Sequence, residues 1–450
     1  MRQHRSYDCN CYIDSGKVIV NIGIVTAWLE CGAGYVSRSY MRVLQQHGHN
    51  VGIYVRGWCG HYDPHPDPIW DMPEVTWGIR YKPLGRVSRF DEQYVNMLHF
   101  ETWLRQNDIE VIITNEDHGF DLAKRAKRLG YIIGTYIDYY THDTIQQFGV
   151  YDFLLCNTKR HYSVFRNHDN CYYVPWGTDI DTFRPQPRSA RDTDDEAVVF
   201  FHSAGVGGMN LRKGTDLLVQ AFRNVTGNAR LIVHSIVPMT RYGKEVMDII
   251  NRDNRIQFIE KIVSAPGLYH LGDVFVYPSR LEGIGLCIPE ALACGLPVIT
   301  TDNAPMNEFV EHGVNGSLVR VNKTTMTPYG YYWPETIVDL DCLTRAMQAY
   351  VDDRGLLYLQ QARARESAEN RLNWMKNASD LGDKLVDLRN RSRRKRREHR
   401  VNESIAWWSE AKYVAFLTCV NRIKGRVLRR VTSKQSRAVR VKVCSASVGN

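Results

Sequence analysis

The sequence predicts an α/β protein of two doubly wound parallel-sheet domains, followed by a basic tail. Three observations carry this. The first half alternates short β-branched runs with polar helical stretches, and a second alternation begins at AVVFFHSAG and ends near Val319. Between them lies a solvated stretch with Pro185, Pro187, Asp192, Asp194, Asp195 and Glu196, which reads as a linker. The length of 450 residues is long for one domain and comfortable for two cores.

In the first half, strands are expected at 17–25, 50–55, 110–114, 131–137, 152–156 and 171–174, and helices at 34–47, 91–106, 118–129 and 158–167. The Pro- and Trp-rich stretch 57–85 breaks the pattern and reads as a long loop. In the second half, 322–336 is polar and aromatic without a clear period, and helices fill 339–352 and 354–388. The organisation is therefore an N-terminal extension (1–16), a first Rossmann-like domain (17–176), a linker (177–195), a second Rossmann-like domain with a return helix (196–390) and a basic amphipathic tail (391–450).

Composition narrows the function classes. The charged and apolar fractions are those of a soluble globular protein, and no run approaches the ~20 apolar residues of a membrane span. The N-terminus lacks the apolar core of a signal peptide. Eleven scattered cysteines, several in apolar runs (Cys156, Cys287, Cys294), fit buried free thiols in a reducing compartment. A cytoplasmic setting is expected, with peripheral membrane attachment as an added possibility. Residues from Lys384 onward hold 19 of the 58 basic side chains but 4 of the 49 acidic ones, so the body before them is mildly acidic. Any polyanion contact belongs to the tail.

The most informative stretch is EGIGLCIPEALACGLPVITTD, residues 282–302. Glu282 precedes a glycine turn (Gly283, Gly285) that lets backbone approach a ligand closely, and Glu290 lies about one turn into the following helix. A helix start behind such a turn suits phosphate. One carboxylate then sits near the phosphate end of a nucleotide and the other near a sugar diol. Arg212 and Lys213 stand at the start of the helix GTDLLVQAF, an end where cations are unfavourable against the helix dipole unless an anion joins them.

This arrangement resembles the Glu-x7-Glu signature of retaining glycosyltransferases with two Rossmann-like domains, the GT-B group 1 (family 4) type that includes glycogen synthase and sucrose synthase. The resemblance runs over roughly 17–390. It is carried in order by the strand KVIVNIGIV with its glycine turn, by YYVPWGTDIDTFRP (172–185), by AGVGGMNLRKGTDLLVQAF (204–222), by the 282–302 stretch and by NEFVEHGVNGSLV (307–319).

The resemblance implies two domains facing across a cleft, and sugar transfer from a nucleotide-diphosphate sugar, with retention, to an acceptor that is not legible. It implies no cofactor beyond that co-substrate and no catalytic metal. Lys213 and Arg212 would polarise the diphosphate, and Glu290 would bind the ribose. Glu282 would meet the donor sugar or the reacting centre. Ser279 and the backbone of Gly283, Ile284, Gly285 and Leu286 would complete the phosphate contacts, with Gly208 before Lys213 and Gly34 after the first strand also at the donor. Asp138 occupies the place of the family's mid-domain histidine, with His142 and His118 as the other candidates. Glu308 reads as structural and Trp374 as part of a return crossing onto the first domain. Asp179-Ile180-Asp181 imitates a metal pair, but its place in the linker motif fits a capping or hinge role.

Two other classes compete. A nucleic-acid-binding protein would make the tail primary, and a nucleotide-sugar epimerase or a phosphorylase would use a similar fold. The tail couples RNRSRRKRREHR to an amphipathic stretch with Trp407, Trp408, Phe416 and Leu417. That composition suits an anionic membrane surface, nucleic acid or plain solvation.

Overall fold

The computed structural model describes residues 18–57, 70–79, 94–115, 117, 119–186, 197–205, 211–327 and 330–394. The calls on His118, Gly208 and the tail tryptophans lie outside these residues. The chain divides into two compact units, 1–386 and 387–450, and the fold that follows is that of the first.

Seven parallel strands form the first sheet: β1 (Asn21–Thr26), β2 (Asn50–Val55), β3 (Val75–Trp77), β4 (Val111–Thr114), β5 (Ile132–Tyr136), β6 (Phe153–Cys156) and β7 (Cys171–Tyr173). Their order is β3-β2-β1-β4-β5-β6-β7. Strands β4, β5 and β6 are buried at every position, as expected when helices cover both faces of a parallel sheet. The covering helices are α1 (Gly32–Gln46), α2 (Met97–Gln106), α3 (Asp121–Arg128) and α4 (Lys159–Phe165). Thr158 caps α4 by accepting from the His161 amide. The expected strands and helices fall within a few residues of these bounds, except that the helix expected from 91 begins at Met97. The expectation of an unbroken loop over 57–85 does not hold, because Val75–Trp77 pairs in parallel with Ile53–Val55 as an edge strand. Three residues are too few to leave a period in the sequence.

The second sheet holds six parallel strands, β8 (Val198–Gly205), β9 (Ala229–Ser235), β10 (Ile256–Glu260), β11 (Val274–Tyr277), β12 (Val298–Thr301) and β13 (Gly316–Val319), ordered β10-β9-β8-β11-β12-β13. Helices α5 (Thr215–Phe222), α6 (Lys244–Arg252) and α7 (Cys287–Ala293) connect them. Phe200, Phe222, Leu231, Val276 and Ile299 centre this domain's core. The ends of the 322–336 stretch pair as an antiparallel hairpin, β14 (Val321–Thr325) and β15 (Glu335–Val338).

Helix α8 (Leu340–Asp352) follows as expected, but the single helix foreseen over 354–388 is broken. Helix α9 (Arg354–Arg371) stops, and Asn373 caps the short α10 (Trp374–Asn377) by accepting from the Met375 and Lys376 amides. The break serves the crossing. The Thr178 amide donates to the Leu372 carbonyl at 2.7 Å, and the Trp374 amide donates to that of Thr178 at 3.1 Å. The Trp374 indole then reaches the Ser39 carbonyl on α1 at 2.8 Å. Asp179 is a local cap, accepting from the Asp181 and Thr182 amides at 3.1 Å each and pairing with Arg42.

Candidate active site between the two sheets

The C-terminal ends of both parallel sheets face one cavity of about 460 Å³, the crevice where open α/β sheets bind ligands. Its floor comes from Glu282–Cys287, Glu290, Arg212 and Lys213, and its far wall from Glu30–Ala33, Tyr35, Val36, Tyr136 and Asp138.

Local backbone chemistry sets the cations. Gly214, at φ +72, begins α5, and a Cβ there would lie 2.1 Å from the Pro278 carbonyl oxygen. Only glycine lets the Lys213 segment approach β11 this closely. Arg280 fixes the same segment with a bidentate pair to Asp216 at 2.8 and 2.7 Å.

Both cations converge on Glu282. Lys213 Nζ donates to its two oxygens at 2.8 and 3.0 Å, Arg212 lies 3.0 Å away, and the Ser279 and Tyr277 hydroxyls donate at 2.6 and 2.9 Å. Burial would raise this carboxyl, but the Arg212 and Lys213 charges overcome it and hold it at about 2. Burial and the neighbouring Arg212 push the Lys213 ammonium down, with Glu282 opposing. Within the Arg212–Lys213–Glu282 cluster, two cations against one carboxylate leave one net positive charge.

Glu290 stands in the first turn of α7, among the buried Ile288, Pro289, Ala291 and Leu292. The proline is harmless there because first-turn amides have no intrahelical acceptor. Tyr269 donates to Glu290 at 2.7 Å. Burial pushes its carboxyl up to about 7, only partly countered by Tyr269 and the Lys213 charge. Gly285, at φ +87, turns the chain between the two glutamates, a conformation that favours glycine.

Asp138, Gly283, Ile284, Gly285 and Leu286 line the cavity together with Glu282, Glu290, Arg212 and Lys213. Three calls are corrected. Ser279 does not reach the cavity: fully buried, it donates to Glu282 and supports the carboxylate from behind. Gly34 faces the Leu29 carbonyl, where a Cβ would come within 2.2 Å, and Gly32 takes the place at the lining. His142 packs on Tyr332 instead of facing the cavity. Glu308 is structural: from the second domain it accepts from the Lys159 and Arg160 amides at 2.6 and 2.9 Å, capping α4.

Sequence reasoning missed Tyr269, Tyr277, Arg280 and His161. The tyrosines end or precede apolar runs and look like core. His161 is buried on α4, accepts from the Tyr140 hydroxyl at Nδ1 (3.1 Å) and donates from Nε2 to the Gly283 carbonyl at 2.7 Å. Burial lowers its pKa to about 4, so it is neutral, as this donor–acceptor pattern requires. Among the described residues no three His, Cys, Asp or Glu side chains gather to hold a metal ion, and no helix is long and apolar enough to cross a membrane.

The architecture is shared with solved two-domain GT-B structures. The Anabaena HepE structure in complex with UDP and glucose superposes with a TM-score of 0.63 at 15% identity, covering 82% of this chain and 100% of that one. Sucrose-phosphate synthase from Thermosynechococcus elongatus gives 0.65 at 17% identity, covering 82% and 99%. The fold is GT-B. Residues 202–327 match the family model described as glycosyl transferases group 1. A GDP-mannose-dependent phosphatidylinositol monomannoside mannosyltransferase of Mycobacterium tuberculosis is 30% identical over 176 residues, 36% of this chain and 46% of that protein. A D-inositol 3-phosphate glycosyltransferase of Xylanimonas cellulosilytica is 27% identical over 171 residues, 34% and 39%. The matches thus span less than half the length of these curated relatives.

Proposed function

We propose that the chain is a retaining glycosyltransferase that moves a hexosyl group from a nucleotide-diphosphate sugar to an acceptor. The observation that carries this reading is the Arg212–Lys213 pair, locked on Glu282 at the floor of a cavity that also presents Glu290. A cation pair held in place before substrate arrives stabilises charge developing on a leaving diphosphate without reorganising. The Glu290 carboxylate accepts the two vicinal ribose hydroxyls, and their donation offsets the burial that raises its pKa. Asp138 faces this floor from the first domain, beside the donor sugar. As the sugar–phosphate bond loosens, the anomeric carbon takes on oxocarbenium character and the acceptor enters on the face the diphosphate leaves. The net positive charge of the Arg212–Lys213–Glu282 cluster supplies the electrostatic role without a catalytic metal. Structures similar to this one hold UDP or UDP-glucose, which favours a nucleotide-sugar donor here.

The test is donor hydrolysis across UDP-, GDP- and ADP-sugars, with the anomeric configuration of the product read by NMR. Turnover of one donor with the configuration kept supports the reading; no turnover of any donor, with or without added divalent cation, overturns it. The basic tail is proposed to attach the protein to an anionic membrane surface through its tryptophan-bearing stretch. Removing residues after 390 should then abolish sedimentation with anionic vesicles and leave donor hydrolysis intact.

A further inference from the structure

The β14–β15 hairpin belongs to neither large sheet, yet its tip reaches the first domain. The Tyr331 hydroxyl donates to the Asp138 carbonyl, and its ring meets Tyr139 edge-on at 4.8 Å. The Tyr332 amide donates to the Tyr140 carbonyl at 2.9 Å. The Trp333 indole N–H donates to the Tyr140 hydroxyl at 2.5 Å, and the Arg160 guanidinium lies 4.6 Å over the Trp333 ring. Tyr140 in turn donates to His161, and His161 to the Gly283 carbonyl beside Glu282. The three bonds run in one direction, from the half-buried Trp333 through the buried Tyr140 and His161 to Gly283, with every donor matched to an acceptor.

We propose that the hairpin tip sets the two walls of the cavity against each other: Tyr331 and Trp333 are positioning residues, acting through Tyr140 and His161 on Asp138 and on the Gly283 turn. The walls leave little slack, since a Cβ on Gly283 would sit 3.3 Å from the Asp138 carbonyl oxygen. A shift of either wall therefore alters the spacing between Asp138 and the floor. Within a buried chain of hydrogen bonds, removing the first donor leaves the next hydroxyl without its partner and loosens what it orients. The catalytic consequence rests on the sugar-transfer reading; the relay itself does not.

Hydrogen exchange on the full-length protein, without nucleotide, tests the relay directly. Trp333→Phe keeps a ring and removes the N–H. It should speed exchange about tenfold in segments 138–142 and 281–287 and leave 298–301 within twofold, the effect of losing one buried hydrogen bond. Tyr331→Phe should act on 138–142 by several-fold, and His161→Ala on 281–287 more than on 138–142. In donor hydrolysis, Trp333→Phe should lower kcat about tenfold, because Asp138 and the Gly283 turn no longer keep their spacing. Faster exchange confined to 330–338 overturns the relay. If Trp333→Phe fails to fold, Tyr331→Phe decides through the 138–142 segment. A protein inactive on every donor removes the sugar-transfer reading, while the exchange results still decide the relay.

Discussion

Glu282 and Glu290 belong to one turn and its helix, yet they lie in opposite electrostatic settings. Around Glu282 two cations and two hydroxyls converge, and the carboxyl is held at about 2. Around Glu290 the neighbours are apolar, Tyr269 is its hydrogen-bond donor, and the carboxyl rises to about 7. The Glu282 oxygens are taken up by Arg212, Lys213, Tyr277 and Ser279, whereas Glu290 accepts from Tyr269 and lines the cavity. Burial is common to both; the supply of positive charge distinguishes them.

The largest effect expected from breaking this contrast is on stability. Glu282→Gln leaves two cations without their counter-charge, and urea unfolding should show a loss of about 3 kcal/mol, the low end for a broken buried pair because Arg212 is 31% exposed. A loss under ~1 kcal/mol would mean that the carboxylate does not anchor the floor. Lys213→Ala should lower sugar transfer about 10²–10³-fold with the fold retained, the scale of removing one preorganised charge stabiliser. Near-normal turnover in that variant would take the phosphate role from Lys213.

Glu290→Gln should weaken free nucleotide diphosphate about tenfold or more by calorimetry, through loss of charge-assisted bonds to the ribose; unchanged affinity moves the ribose elsewhere. The smallest effect is the sharpest comparison. Glu282, depressed when folded, adds stability that is fully present above pH 4.5 and is lost as pH falls toward about 2. Glu290, raised when folded, takes up its proton more readily in the native state, so its contribution declines as pH rises from 4.5 through about 7. The melting temperature of Glu290→Gln relative to the parent should therefore rise between pH 5 and pH 8. A flat difference would show that Glu290 is not proton-linked to folding.

The contrast also marks how far the sequence reaches. Glycine turns, apolar helix faces and the spacing of the two glutamates were readable, because period and φ preference act locally. The bounds of β2 (Asn50–Val55) come directly from its β-branched pattern. The direction of a side chain across the fold was not readable. Ser279 looked like a phosphate contact and turns to Glu282; Gly34 looked like a ligand approach and makes room for Leu29. Tyr269 looks apolar in sequence and finds Glu290 only once β11 (Val274–Tyr277) and α7 (Cys287–Ala293) are packed. The hairpin tip was aromatic and without period because its partners, Tyr140 and Asp138, are supplied by another domain.

The bond from the Trp374 indole to the Ser39 carbonyl joins positions 335 residues apart, and the Tyr40 ring meets that indole edge-on at 5.0 Å. A helix of the first domain is therefore finished by a side chain made 335 residues later. On the ribosome, the N-terminal sheet can assemble, but the far side of α1 (Gly32–Gln46) stays uncovered until Trp374 has left the exit tunnel. Until then Tyr40 has its first-domain partners, the Tyr136 ring at 5.8 Å and the Asn157 side chain, but lacks the Trp374 cover. Contacts this distant along the chain also slow the last stage of folding. The same stitch makes the two halves one heritable unit, since a first domain exchanged for a homologue's must bring a surface that Trp374 still fits.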